Sequence, residues 1–254
     1  MIQPPMQLTI IGAGTTLPAP ARSPSCHLLR TGGRAFVFDM GAGALARLGA
    51  AGMDYRDIDV VFISHLHPDH VLDVVMLLQA ANATPGWSRT RTLSIVGCRG
   101  LADFLAKLLL IFRDAQPESY RLDVTELDVG RHVVAGLDLE VALTGHTSNS
   151  LAFRVEAAGK VFVYSGDAAD KPELADLARS ADIFLCECSF PRAYPTDDHL
   201  TSETAARIAR EASVRHLVLT HTYPEMQREQ TLAEARQVFS GRITIAADGT
   251  LVEA

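Results

Sequence analysis

Three histidines and one aspartate lie within six consecutive residues of the sequence, at His65, His67, Asp69 and His70. The apolar run Asp59–Ser64 before them predicts a buried strand, so the cluster stands where a strand gives way to a loop and a helix. Imidazole nitrogen and carboxylate oxygen are ligands that borderline divalent metals such as zinc prefer. The cluster therefore predicts a metal site.

The alternative for these side chains is a hydrogen-bonded cluster without a metal, because a single histidine in a loop is usually a surface or core residue. The chain has nine histidines, and chance does not readily place three of them beside an aspartate in so short a segment. We therefore favour the metal site and keep a structural or degenerate cluster as the alternative.

One short segment cannot complete two coordination spheres, so further donors must come from other strand ends. His146, Asp167 and His221 each follow the C-terminal end of a predicted strand. An α/β scaffold places its functional site at such strand ends, so we take these three residues as candidate ligands.

His199 also lies at a junction, just before a predicted helix that begins near Ser202. His27, His132 and His216 lack this placement. For those three histidines we predict structural roles.

The length and composition bound the class of protein. The 254 residues contain no Pro/Gly/Ser-rich linker and no abrupt change in composition, which predicts a single domain over 1–254. The formal net charge of -7 argues against sequence-independent binding along a nucleic acid, which requires a basic face.

Residues 1–6 lack the basic start and apolar core of a signal peptide, and the apolar run 105–112 is too short to span a bilayer. The cysteines do not have zinc-ribbon spacing, and Cys186 and Cys188 alternate around Glu187 in an apolar strand, which predicts small buried side chains. We therefore expect a cytoplasmic protein without disulfides and without membrane association.

Both halves of the chain are rich in short β-type runs and also supply helices. The predicted strands are 7–11, 27–30, 35–39, 59–64, 92–96, 124–127, 137–143, 151–156, 160–165, 183–187, 216–220 and 242–246. The predicted helices are 43–51, 71–81, 100–112, 173–178, 202–211 and 231–239. This α/β pattern predicts an αββα sandwich, in which two mixed sheets pack face to face with helices outside.

The motif His65-x-His67-x-Asp69-His70 resembles the signature of the metallo-β-lactamase superfamily. The resemblance runs from the first strand to the last, because three later residues match the family's later ligands in order and context: His146, Asp167 and His221. Within the superfamily the chain is similar to the RNase Z and phosphodiesterase branch, through the segments 199–201 and 219–221.

The resemblance implies two zinc ions, with Mn²⁺ or Fe²⁺ as alternatives, and it assigns their ligands. One metal takes His65, His67 and His146, the other takes Asp69, His70 and His221, and Asp167 bridges them. Asp39 matches an early aspartate that supports the site without being a ligand. Asp69 and His199 take the catalytic roles: Asp69 orients the nucleophile and accepts its proton, and His199 stabilises the transition state or protonates the leaving oxygen.

The chain departs from the branch in regions that concern the substrate. RNase Z enzymes of the common bacterial type carry a long tRNA-binding arm between the residues that match His146 and Asp167, whereas a predicted hairpin fills this interval here. Ala168 stands where a threonine is frequent, and the run 186–189 replaces a His-Glu-Ala-Thr type sequence. These differences argue against extended tRNA binding.

The resemblance favours a dinuclear zinc phosphodiesterase in which a metal-bridged hydroxide attacks a small or cyclic nucleotide or an RNA 3′ end. A lactone, thioester or β-lactam hydrolase with the same ligands is the alternative, and a non-catalytic ligand-binding protein stabilised by metal is a second one. Relatives in this branch are often homodimers, so we expect a homodimer.

Overall fold

The computed structural model describes residues 5–254, which form fourteen strands, seven α-helices and two short 3-10 helices. The strands are β1 Gln7–Gly12, β2 Cys26–Thr31, β3 Arg34–Phe38, β4 Val60–Ile63, β5 Leu93–Gly97, β6 Leu122–Glu126, β7 Gly130–Val134, β8 Leu137–Leu143, β9 Leu151–Ala157, β10 Lys160–Tyr164, β11 Ile183–Glu187, β12 His216–Thr220, β13 Arg242–Ile245 and β14 Leu251–Glu253. The α-helices are α1 Ala44–Ala50, α2 Pro68–Val71, α3 Val74–Ala83, α4 Leu101–Ile111, α5 Pro172–Leu177, α6 Ser202–Glu211 and α7 Arg228–Arg236.

The strands form two mixed sheets of seven strands each. The first has the order β14-β1-β2-β3-β4-β5-β6, and the second has the order β13-β12-β11-β10-β9-β8-β7. Pairing is parallel from β3 to β6 and from β10 to β13, and antiparallel elsewhere. Parallel neighbours end at the same edge of their sheet, so the loops after β3 and β4 lie at one edge of the first sheet, and the loops after β10, β11 and β12 lie at one edge of the second.

Three apolar clusters show how the layers pack. One joins the two sheets and contains Phe38 and Phe62 of the first sheet together with Phe153 and Phe162 of the second. A second cluster packs α1, α3 and α4 on the outer face of the first sheet, and a third packs α5, α6 and α7 on the outer face of the second. The order helix, sheet, sheet, helix confirms the αββα sandwich predicted from the sequence.

Two strands were not predicted, and both lie at sheet edges. Among residues 5–254, β7 pairs only with β8 and β14 only with β1. β7 alternates between exposed and half-buried residues, and β14 has three residues. Edge strands of this kind lack the continuous apolar run by which a buried strand is recognised. The hairpin between β9 and β10 is confirmed, with Ala158 and Gly159 both in the left-handed region at φ 53° and 71°.

The helix predicted over 71–81 is in fact two helices, α2 and α3. The break is at Leu72–Asp73, because the Asp73 amide donates to the carbonyl of Met40 (2.8 Å) and the Asp73 carboxylate accepts from the amide of Leu45 (2.6 Å). An aspartate that bonds to a neighbouring loop competes with helix continuation. Within residues 5–254 no helix combines the length and apolar character needed to cross a membrane.

Candidate metal centre

The histidine-rich segment occupies the loop after β4 and the first turn of α2. The loop after β3 holds it in place, because the Met40 amide donates to the carbonyl of His70 (2.6 Å). A Cβ atom on Gly41 would lie 2.1 Å from the carbonyl oxygen of Asp69. Glycine is therefore needed at position 41 so that the two loops can approach this closely.

Donor atoms of His65, His67, His146 and Asp167 form a first group, all within 4.8 Å of one another. Nδ1 of His67 lies 3.0 Å from Nε2 of His65 and 3.2 Å from Nε2 of His146. Oδ2 of Asp167 lies 3.7 Å from the same His65 nitrogen and 3.8 Å from that of His146. Three imidazole nitrogens and a carboxylate oxygen thus converge, as ligands do around one cation.

Asp69, His70 and His221 form a second group beside the first. The Nε2 atoms of His70 and His221 are 3.4 Å apart. Oδ2 of Asp69 lies 3.5 Å from Nε2 of His221 and 3.9 Å from Nε2 of His70. This group offers two nitrogens and one oxygen, with Asp167 as a further neighbour.

Asp167 lies between the two groups, and each of its oxygens faces one of them. Oδ2 faces the first group, whereas Oδ1 lies 3.4 Å from Nε2 of both His70 and His221. Oδ1 is buried and accepts no hydrogen bond within residues 5–254. An unpaired buried carboxylate oxygen is costly, and a cation would supply its partner, so the residues present fit a pair of metal ions with Asp167 as a bridge.

Partners on the first sheet fix the rings of two candidate ligands. Oδ2 of Asp39 accepts hydrogen bonds from Nδ1 of His70 (2.7 Å), from the Ser64 hydroxyl (2.8 Å) and from the Tyr164 hydroxyl (2.6 Å). The Ser64 oxygen lies 3.0 Å from Nδ1 of His65. Both rings therefore present Nε2 to the site, an arrangement that raises the basicity of ligating histidines.

A similar arrangement occurs on the second sheet. The Ser189 hydroxyl donates to Oε2 of Glu187 (2.6 Å) and lies 3.0 Å from Nδ1 of His221. Oε1 of the buried Glu187 accepts from Nδ1 of His199 (2.9 Å) and from the amide of Ala168 (2.7 Å). One carboxylate thus orients His199 directly and His221 through a serine.

His199 stands at the edge of the cluster. Its ring centroid lies 4.5 Å from that of His146 and 5.8 Å from that of His221. The preceding residue, Asp198, accepts a hydrogen bond from Nδ1 of His146 at its carbonyl oxygen (2.9 Å). The loop that carries His199 therefore also orients a candidate ligand.

The charges of the site shift several pKa values. Burial opposes ionisation of Asp69 and Asp167, yet the neighbouring His70 and His221 outweigh it and lower the pKa of both carboxyl groups. Burial also opposes protonation of His70, but Asp167 and Asp39 raise its pKa. Burial lowers the pKa of His65, which favours the neutral imidazole that a metal requires.

His199 lies at the mouth of the cluster, and its surroundings favour the charged form of the ring. Burial works against its protonation, but the hydrogen bond and charge of Glu187, with Asp167 and Asp198, raise its pKa to about 9. This environment favours the imidazolium form, which can donate a proton from Nε2.

The structure brings all eight predicted site residues together: His65, His67, Asp69, His70, His146, Asp167, His199 and His221. Of the histidines predicted to be structural, His27 packs edge-on against Tyr164 in the interior, and His132 and His216 bond to Asp128 and Thr244 respectively.

Sequence reasoning missed several supporting residues, namely Ser64, Glu187, Ser189 and Asp198. The sequence around these residues does not show that they contact Asp39, His199, His221 or His146. The only signal was their position, since each lies at or just beyond a strand end or directly beside a candidate histidine. Asp39 and His221 also have left-handed backbones, with φ 58° and 54°, a strain that sequence does not show.

Comparison with known proteins places the chain among metal-dependent hydrolases. Residues 34–222 match the family model for the beta-lactamase superfamily domain. The chain is 30% identical to the Ribonuclease Z of Mycolicibacterium paratuberculosis (strain ATCC BAA-968 / K-10), over 96% of each chain.

Two solved structures show the same fold. The metallo-beta-lactamase fold protein YhfI from Bacillus subtilis superposes with a TM-score of 0.88 at 25% identity, covering 99% of this chain and 100% of that one. The short form of human tRNase Z superposes with a TM-score of 0.79 at 23% identity, covering 97% and 98%.

Proposed function

The chain belongs to the metallo-β-lactamase superfamily and is a metal-dependent hydrolase like its relatives, and from that premise we propose that it is a dinuclear zinc phosphodiesterase. Its substrate in this proposal is a small or cyclic nucleotide or an RNA 3′ end. The observation that carries the proposal is the position of Asp167, whose two oxygens face two separate groups of histidine nitrogens.

In this proposal His65, His67 and His146 would hold one metal, and Asp69, His70 and His221 would hold the other. Asp167 faces both groups and would serve both metals. When bound, such a pair lowers the pKa of water toward neutrality and offsets negative charge on the oxygens of a phosphodiester.

The protein's own groups supply the proton transfers. Oδ2 of Asp69 lies 3.5 Å from Nε2 of His221, within the cluster, and Asp69 is 9% exposed. It can orient an attacking water and accept its proton. His199, whose pKa Glu187 raises, can protonate the departing oxygen, and Glu187 holds its ring in the required orientation.

The charge of His199 favours a phosphodiester over a neutral ester or amide. A phosphodiester is an anion at neutral pH, and an imidazolium beside two cation sites can form an ion pair with it. The chain carries no inserted arm between His146 and Asp167, since a short turn and the hairpin β9–β10 fill this interval. This supports a compact substrate. The homodimer and the cytoplasmic location stay predictions.

A substrate panel tests the proposal. Zinc-loaded protein is assayed with bis(p-nitrophenyl) phosphate, cyclic nucleotides, precursor tRNA, a lactone, a thioester and a cephalosporin. We expect turnover of the phosphodiesters that is abolished by chelation and restored by zinc. Turnover restricted to the lactone, thioester or cephalosporin would replace the phosphodiesterase with the alternative hydrolase, and tight nucleotide binding without any turnover would favour the non-catalytic alternative.

A further inference from the structure

Two aromatic side chains stack beside His199 at the mouth of the cluster. The ring centroids of Phe190 and Tyr223 are 4.8 Å apart with 28° between their planes. His199 meets both rings edge-on, at 5.9 Å from Phe190 and 6.3 Å from Tyr223. The Tyr223 ring also lies 6.2 Å from that of His221. The pair therefore borders both the proposed proton donor and a candidate ligand.

Backbone contacts hold the aromatic pair in place. The Tyr223 carbonyl accepts a hydrogen bond from Nη1 of Arg22 (2.9 Å). The Phe190 carbonyl accepts from the amide of Ser202 (3.1 Å), at the start of α6. These bonds fix the backbone at both residues, and the two rings pack against each other, so the pair loses little conformational freedom when a ligand binds against it.

Both rings are half-buried, so part of each remains accessible. The Tyr223 hydroxyl makes no hydrogen bond to any protein atom among residues 5–254. The aromatic pair therefore offers an apolar surface beside the imidazoles and carboxylates of the cluster. It suits a flat, apolar ring attached to an anionic group.

We propose that Phe190 and Tyr223 form a stacking subsite for the nucleobase of the substrate, on the side of the departing oxygen. The proposal rests on the proposed function, because it places the phosphate on the metal cluster and the ester oxygen toward His199. A nucleoside attached to that oxygen then reaches the aromatic pair. Aromatic side chains stack on every base, so the subsite favours nucleotides over sugar phosphates without selecting one base.

Binding measurements test the subsite without requiring turnover. The Kd values of adenosine 5′-monophosphate, ribose 5-phosphate and inorganic phosphate are measured by calorimetry on the zinc-loaded protein. We expect the nucleotide to bind about tenfold more tightly than ribose 5-phosphate, the gain typical of one stacked base. Tyr223→Leu should reduce this preference to less than about threefold, whereas Tyr223→Phe should retain it. Ribose 5-phosphate should bind equally to all three proteins.

Two further variants complete the test. Tyr194→Leu changes an exposed tyrosine in the loop that carries Phe190, and it should leave the preference for the nucleotide intact. Phe190→Leu should lower the preference for the nucleotide. If Tyr223→Leu does not fold or loses zinc, Phe190→Leu serves as the test of the subsite. Equal affinity of the wild type for the two ligands, or an unchanged preference in Tyr223→Leu and Phe190→Leu, overturns the subsite. If the substrate panel shows no turnover of phosphodiesters but the preference for the nucleotide is retained, the phosphodiesterase proposal is refuted and the stacking subsite is not.

Discussion

Nδ1 of His199 lies 2.9 Å from Oε1 of Glu187, a carboxylate that is buried completely. The contact leaves Nε2 of His199 free of Glu187 and keeps the ring protonated, with a pKa raised to about 9 although burial opposes the charge. The Ser189 hydroxyl donates to the same carboxylate and lies 3.0 Å from Nδ1 of His221. Glu187 therefore controls both the proposed proton donor and the orientation of a candidate metal ligand.

The first prediction concerns the pH profile. If protonated His199 is the proton donor, kcat falls as pH rises through its pKa. Glu187→Gln removes the charge that raises this pKa, so the alkaline limb should move at least about one unit toward lower pH. The profile is measured with a cyclic nucleotide, because its alkoxide leaving group needs a proton whereas a nitrophenolate does not. Bound cations would lower the pKa in both proteins, so the difference between them carries the test.

Glu140→Gln provides a matched control for this profile, because Glu140 lies half-buried on β8 and its carboxylate is 3.7 Å from Arg131. Its alkaline limb should coincide with that of the wild type. Superimposable limbs for Glu187→Gln and the wild type would exclude Glu187 as the group that tunes the proton donor.

The second prediction separates turnover from metal binding. His199→Ala should lower kcat by about 10²–10⁴ and keep the full zinc content, because proton transfer to the leaving group is lost while the ligands remain. Asp167→Ala should lose zinc as well, since Asp167 faces both groups. Zinc is measured by atomic absorption after gel filtration, with His132→Ala as the control. Equal zinc loss in His199→Ala and Asp167→Ala would refute this division of roles.

The third prediction concerns Ser189. Ser189→Ala removes the partner of Nδ1 of His221, so the ring is no longer held with Nε2 toward the cluster. We expect about 10–100-fold weaker binding of one of the two zinc ions, in line with other losses of a ligand's supporting contact. Ser189→Thr keeps the hydroxyl and should restore affinity. Competition with a chromophoric chelator measures both, and unaltered affinity in Ser189→Ala would show that the hydroxyl has no such role.

The fourth prediction concerns acid stability. Burial, with help from the charges of His70 and His221, lowers the pKa of His27 to about 3. Below pH 6.5 the unfolded chain therefore binds a proton that the folded chain does not, and stability falls as the pH falls toward 3. Between pH 7 and pH 5 this costs about 2 kcal/mol.

His27→Phe should remove this part of the acid sensitivity, because neither ring nitrogen of His27 has a hydrogen-bond partner among residues 5–254 and the edge contact with Tyr164 suits a phenyl ring. Urea unfolding at both pH values, with the two proteins compared, isolates the contribution. If the variant and the wild type lose the same free energy of unfolding between pH 7 and pH 5, His27 is not the cause.

The sequence predicted the layers of the fold because the buried strands, such as Val60–Ile63, are continuous apolar runs that end in loops with site residues. It did not predict β7 and β14, because an edge strand pairs on one side and needs no such run. It also missed the break at Asp73, which depends on contacts with Met40 and Leu45 from another part of the chain.

The same distinction applies to the site. Candidate ligands could be named because histidine and aspartate are common metal ligands and because four of them lie within six residues of the sequence. Ser64, Ser189 and Glu187 also bond to Asp39, His221 and His199 from other segments of the chain, and a serine or glutamate at a strand end is common. Tyr223 is an ordinary aromatic residue in the sequence, and its place beside His199 follows only from the packing of the loops.

Anomalous diffraction from crystals of the zinc-loaded protein tests the central claim most directly. We predict two zinc peaks, one among His65, His67, His146 and Asp167 and the other among Asp69, His70, His221 and Asp167. A single peak, or peaks that do not share Asp167, would contradict the paired metal centre from which the proposed chemistry follows.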